Sequence, residues 1–232
     1  MNSSIKEVIC GHGILPFVRR QFLLLLSLFV MTFGVALCVR SNLGSSVISS
    51  IPMVMSLAGD SGKAPALTIG EYTNIMNIIL VACQILILRR KFASMQLFQL
   101  AIGFVFGFLL DVNMWLTSGM VYDSLVLQIL EQVCGCLVLG VGIAFEIRCG
   151  SVTMPGEGIT VAISQALKVP FSKAKIGVDI SLVAIAVILG FLFFGGWLWN
   201  VVGIGTILAM VFVGIVVRYI DPHIEWFSRI LV

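Results

Sequence analysis

Cys149-Gly-Ser-Val-Thr-Met-Pro-Gly-Glu-Gly-Ile-Thr-Val-Ala-Ile-Ser164 is a polar, glycine-rich break followed by a short apolar helix, set in a chain that is otherwise almost continuously hydrophobic. The segment before it, Val141-Gly-Ile-Ala-Phe-Glu-Ile-Arg148, repeats the plan of Phe33-Gly-Val-Ala-Leu-Cys-Val-Arg40 about 108 residues earlier. Gly34 falls on Gly142, Ala36 on Ala144 and Arg40 on Arg148. After Arg40 comes a second polar break, Ser41-Asn-Leu-Gly-Ser-Ser46, and a second short apolar piece that places Ser56 on Ser164. Broken elements at matching positions of two halves point to a substrate site in a secondary transporter.

Working outward, the chain of 232 residues is 59% hydrophobic and 11% charged, with a mean hydropathy of +1.13. Those values lie far from a soluble domain and describe an integral membrane protein. Its apolar runs reach the ~20 residues a helix needs to cross the hydrocarbon, and their continuity excludes the alternating strands of a β-barrel. Six spans are expected: Gln21 to Val39, Thr68 to Leu88, Met95 to Leu116, Leu125 to Ile147, Ile176 to Phe194 and Val201 to Tyr219. Two pieces, Val47 to Leu57 and Gly158 to Leu167, are too short to cross and read as half or re-entrant helices. Residues around Asp111, Asn113 and Asp123 read as an acidic, polar loop. Gly103 and Gly107 permit a close helix contact, with a neighbouring span or with a second copy.

The expected organisation is all-α: a cytoplasmic segment 1–20, a first membrane repeat 21–117, a second, inverted repeat 118–222 and a cytoplasmic tail 223–232. Inversion follows from counting. With a cytoplasmic N-terminus, 12 of the 14 basic residues fall at cytoplasmic ends, leaving only Arg40 and Lys63 outside. Three spans per half then force the halves to enter from opposite sides, so the short helices approach one another near the midplane. Trp115, Trp197, Trp199 and Trp226 lie at span ends, where an aromatic belt belongs.

The net charge of +3 forms no stripe, so no nucleic-acid partner is expected. Cys10, Cys38, Cys83, Cys134, Cys136 and Cys149 lack metal-ligand spacing and read as small core residues; neither metal nor cofactor is expected. Arg19-Arg20 resembles a twin-arginine export signal and Val35 to Cys38 a lipoprotein box, but the echo of residues 33–40 in the second half keeps this segment in the fold. No enzyme is expected: the two histidines, His12 and His223, lie outside the spans, and no glycine cluster follows a strand.

The candidate site is drawn from both breaks. Free amides of Gly44, Ser45, Ser46, Gly156, Glu157 and Gly158 at helix N-termini favour an anionic or polar solute, with Thr160 as a further hydrogen-bonding group. The competing reading is a polar interfacial loop that ties spans together. Glu157 is either a helix cap or a site for a proton or cation. Asp179 and Glu71 share the repeat offset and line the cavity wall with Asn74 and Asn77, unless Asp179 is simply the i, i+4 partner of Lys175. Arg40 and Arg148 are headgroup anchors or guards of opposite pathway mouths. Glu146 faces away from Arg148 and is expected to meet a lysine elsewhere.

Arg40-Ser-Asn-Leu-Gly44, Met154-Pro-Gly-Glu-Gly158 and Val202-Gly-Ile-Gly-Thr-Ile-Leu-Ala209 with Gly214 resemble the YczE/YyaS/YitT group of small bacterial membrane proteins over about residues 20–222. The resemblance implies a polytopic protein of the bacterial plasma membrane and supplies no substrate; the soluble C-terminal domain of larger YitT-type relatives has no counterpart here. The expected function is a small-molecule or ion permease working by alternating access, lying in the lipid bilayer. The alternatives are a non-transporting accessory or scaffold protein and a substrate-binding subunit of a larger transporter, with a homo-oligomer or membrane partner open in each case.

Overall fold

The computed structural model describes residues 14–89, 92, 94–149 and 153–224. Lys6, Cys10, Gly11, His12, Gly13, Arg90, Lys91, Trp226 and Arg229, with Gly150, Ser151 and Val152 of the second break, lie outside the described residues. Eight α-helices and no strand are present among those described. They are α1 (Ile14–Arg40), α2 (Val47–Asp60), α3 (Ile69–Leu88), α4 (Phe98–Leu116), α5 (Leu125–Cys149), α6 (Pro155–Leu167), α7 (Phe171–Phe194) and α8 (Ile204–Ile220), with 3-10 turns at Ser94–Leu97 and Asp221–Ile224.

Six of these, all but α2 and α6, are long and apolar enough to cross a membrane. At ~1.5 Å per residue the two short helices reach only about 20 Å. Local chemistry sets the ends. Thr68 accepts from the Glu71 amide while the Glu71 carboxylate accepts from the Thr68 amide, a capping box that starts α3. Pro155 takes the first position of α6, where its missing N–H costs nothing. Gly195, at φ 69°, closes α7.

Several boundaries differ from the sequence expectation. Helix α1 begins seven residues before Gln21, so Arg19 and Arg20 lie on the helix and not ahead of it. Helix α7 begins at Phe171, carrying Lys173 and Lys175 on its first turns. Asp111 and Asn113 belong to α4 and not to a loop, and each hydrogen-bonds to a neighbouring segment. Asp111 accepts from the Gly70 amide at 2.8 Å and from the Thr68 hydroxyl at 2.6 Å, and Asn113 donates to Thr32 Oγ1 at 2.8 Å.

Helix α1 makes its most extensive contact with α5. The backbones meet at glycines: a Cβ on Gly34 would lie 2.8 Å from the Gly135 carbonyl oxygen, and one on Gly142 would lie 2.7 Å from the Met31 nitrogen. Small residues permit such an approach, and within a membrane the gain is van der Waals contact. Cys38 and Cys136 face each other across this seam, sulfur to sulfur 4.0 Å. Around the pair, α4 packs on α1, α8 on α5, α2 on α7, and α6 on α3. Gly103 faces Asn77, and Gly107 faces Asn74 and Gly70, which sets α4 against α3; α7 and α8 have no such packed contact. Leu28, Val35, Val54, Phe106, Leu110 and Ala144 fill the main core.

One end of the bundle, here the upper, is where Arg40 Nη2 donates to the Met114 carbonyl at 2.6 Å. At the lower end Arg20 Nε donates to the Cys149 carbonyl at 2.5 Å. Just beyond α2, Lys63 Nζ donates to the Phe193 carbonyl near the end of α7. The first turns of α2 and α6 touch, since a Cβ on Gly156 would lie 2.7 Å from Cδ1 of Ile48.

Candidate functional site

The first break is closed by packing. Gly44 holds φ at 129°, a value that favours glycine, and this turns the chain against α8, where a Cβ would meet Thr206 Oγ1 at 2.6 Å. The Ser45 amide and hydroxyl both donate to the Val201 carbonyl, at 2.9 and 3.1 Å, and the Gly205 amide donates to the Leu43 carbonyl at 2.8 Å. Gln132 from α5 completes the clasp: its Nε2 donates to the Gly205 carbonyl at 2.9 Å while its Oε1 accepts from Ser41 at 2.6 Å. The Ser45 amide, expected to be free, is therefore spent. Ser46 and Ser49 share a hydroxyl hydrogen bond of 2.7 Å.

Similar bookkeeping corrects the second break. The Glu157 and Gly158 amides both donate to the Met154 carbonyl, at 3.0 and 2.9 Å, and Pro155 has no N–H. Of the first four positions of α6 only Gly156 keeps an uncommitted amide, which removes most of the anion-binding capacity expected of this end. Thr160 donates back to the Gly156 carbonyl at 3.2 Å and is fully buried.

The remaining candidates separate. Glu71 is exposed and caps α3, so its carboxylate does not join Asp179. Asp179 is buried and pairs with Lys175 at 2.6 Å, the i, i+4 reading of that spacing. Asn77 donates to the Gly103 carbonyl at 3.5 Å, and Asn74 packs on Gly107. Arg40 reaches the Met114 carbonyl, and its charge faces Glu131 of α5. Arg148, half-buried, ends α5 at the lower side.

What the structure does gather is a set of buried acceptors around the first turn of α6. Gln84 of α3 donates through Nε2 to the Pro155 carbonyl at 3.1 Å. Its Oε1 and that of Gln99 from α4 both come against Gly158, 2.7 and 2.6 Å from where a Cβ would sit, and neither has a hydrogen-bond partner. Glu146 of α5 is 4% exposed and faces the Met154 amide without either carboxylate oxygen reaching hydrogen-bond geometry, so the expected lysine is not there. It lies within electrostatic reach of Glu157, which in turn feels Lys175 and Asp179. Neither Gln84 nor Gln99 stands out as a site residue in the sequence; the available signal is a glutamine inside an otherwise apolar span.

Between the two short helices the interior is apolar. Val47, Met76, Leu80, Ile159, Val178 and Leu182 form one buried cluster with Ile48 and Ile51 against it. A separate pocket, with room for little more than one water molecule, lies between α2, α7 and the turn before α8, lined by Val54, Ala186, Gly190, Trp197, Leu198 and Val201. It is far below the ~300 Å³ of ordinary ligand sites and its lining is apolar.

Comparison with known proteins places this arrangement. A family model described as a family of unknown function, DUF6198, matches residues 18–222. The chain is also similar to the uncharacterized protein YyaS of Bacillus subtilis (strain 168), 24% identical over 203 residues that cover 86% of this chain and 91% of that protein. No solved structure matches. The matched region takes in all six long helices and both short ones except the first residues of α1, and the chain belongs to the YyaS-like DUF6198 family of unknown function.

Proposed function

We propose that this chain is a small permease of the bacterial plasma membrane, built from two inverted repeats that expose a site at the opposed short helices alternately to each side. The observation that carries the reading is a reciprocity of contacts under the repeat offset. Gly34 packs on Leu139, and their equivalents Gly142 and Met31 pack on one another. Ile48 and Gly156, which touch, are each other's equivalents. The contact of α2 with α7 is matched by that of α6 with α3, and α1 with α4 by α5 with α8. Self-complementary pairing of this kind is what a two-fold axis produces. An axis through the α1–α5 seam and the Ile48–Gly156 contact would make the short helices antiparallel about the centre, the geometry used by inverted-repeat transporters, although the α3–α4 contact has no packed α7–α8 counterpart. The distribution of lysine and arginine in the sequence supports a cytoplasmic position for both termini.

On this reading the clasp of Ser41, Ser45, Gln132, Val201 and Gly205 is an outer gate in its closed state, and transport requires the Ile48–Gly156 contact to part. The test is current recording on proteoliposomes adsorbed to a solid-supported membrane, challenged with alkali cations, primary amines and small organic anions. A saturable transient current with at least one solute class, lost in Glu157→Gln, is expected; no saturable current above protein-free liposomes with any class contradicts the reading. One observation favours the accessory alternative. The centre is filled by Ile48, Ile51 and Ile159, as in a protein whose breaks are permanently sealed.

A further inference from the structure

We propose that the first turn of α6 is a cation site, formed by the carboxylates of Glu146 and Glu157 with the side-chain carbonyls of Gln84 and Gln99, and that its ligand is a small monovalent cation, a bare alkali ion or an ammonium headgroup. The assignment concerns binding and holds whether or not the chain transports.

The argument starts from hydrogen-bond accounting. Buried polar atoms are nearly always partnered, and a buried charge without a partner is costlier still. Here four acceptor atoms, Gln84 Oε1, Gln99 Oε1 and both oxygens of Glu146, have no partner, and all three side chains are more than nine-tenths buried. They come from three different helices. The orientation of Gln84 is fixed by its own donation to Pro155, which turns its carbonyl towards Gly158. Glycine at 158 lets both glutamine amides close on the helix: a Cβ there would lie 2.6 Å from Gln99 Oε1, 2.7 Å from Gln84 Oε1 and 2.8 Å from Gln99 Nε2.

Charge selects the occupant. Lys175 is paired with Asp179 at 2.6 Å and also lies within electrostatic reach of Glu157, so one lysine stands against the carboxylates of Asp179 and Glu157, and Glu146 adds a third negative group within reach of Glu157. Arg20, at this end of the bundle, is engaged with the Cys149 carbonyl. Vacant acceptors and surplus negative charge call for a ligand that offers only positive charge or donors. A hard cation takes oxygen ligands of this type, and an ammonium group carries three donors and no acceptor. An anion is disfavoured on both counts.

Purified full-length protein is held at constant ionic strength in N-methyl-D-glucamine chloride, whose cation is too bulky for the site, and titrated with sodium, potassium or methylammonium chloride. Thermal unfolding is followed, together with equilibrium binding of radioactive sodium. The expected result is a saturable rise in Tm with at least one probe, its midpoint weakened about tenfold or more in Glu146→Gln and in Gln99→Leu and unchanged in Asp123→Asn, which alters an exposed residue of the α4–α5 connection. Response to sodium or potassium identifies a bare ion; response to methylammonium alone identifies an amine. No saturable response to any probe overturns the assignment, as does a response that survives unchanged in both variants. Because Gln99→Leu adds no charge and keeps similar bulk, it serves if Glu146→Gln fails to fold.

Discussion

Replacing Gly34 by alanine puts one methyl group into the tightest part of the molecule. The added carbon would lie 2.8 Å from both the Gly135 carbonyl oxygen and the Leu139 Cα, against a normal separation of ~3.5 Å or more. Both obstacles are backbone, so relief requires α1 and α5 to separate by several tenths of an ångström along their most extensive contact. Overpacking of this kind costs about 1–3 kcal/mol, and for a chain of this size each kcal/mol moves Tm by roughly 2–4 °C. A fall of about 5 °C is expected in detergent or nanodiscs. Gly177→Ala is the control, because nothing lies within 4 Å of its added carbon and alanine favours the helix. Gly142→Ala meets the Met31 backbone at 2.7 Å and should cost a similar amount. The double substitution should cost less than the sum by more than about 0.5 kcal/mol, since one separation of the helices relieves both clashes. Gly34→Ala unfolding at the temperature of Gly177→Ala would refute the close α1–α5 crossing.

Asp111→Ala removes the acceptor of both the Gly70 amide and the Thr68 hydroxyl, so hydrogen exchange at the first turn of α3 should accelerate at least fivefold, reflecting about 1–3 kcal/mol. Gln132→Leu breaks the clasp between Ser41 and Gly205 and should raise the reactivity of a cysteine placed at Ser45 while leaving helix content by circular dichroism unchanged. Lys175→Met leaves Asp179 buried without its partner and should lower Tm by more than the double change Lys175→Met with Asp179→Leu, because the cost lies in the stranded charge.

Hydropathy read the six long helices because a span must hide every backbone polar group within itself, which makes a continuous apolar run. It also found both short helices, and Val47 was placed at the observed start of α2. Ends governed by caps or by basic residues on a helix were less legible: Phe171 to Lys175 reads as a loop until Pro170 is seen as the residue preceding α7. The site was half legible. The offset pairs Ile48 with Gly156, but nothing local shows that the Ser45 amide is satisfied by Val201, 156 residues away. Likewise Glu71 and Asp179 match in sequence, yet one caps a helix at the surface and the other is buried, since Thr68 offers Glu71 a capping box and Lys175 offers Asp179 a salt bridge. Gln84 and Gln99 acquire meaning only when α3, α4 and α6 are packed.

The central claim is that the outer clasp opens, and it is tested by placing a single cysteine at Ser45 in a chain freed of its six native cysteines, then measuring labelling by a membrane-impermeant thiol reagent applied from each side of oriented vesicles. Alternating access predicts slow labelling from the outer side, faster when Gln132→Leu loosens the clasp, and labelling from the inner side when the Ile48–Gly156 contact parts. A cysteine that stays unreactive from both sides, with and without Gln132→Leu, would contradict the permease account and leave the breaks as sealed structural joints.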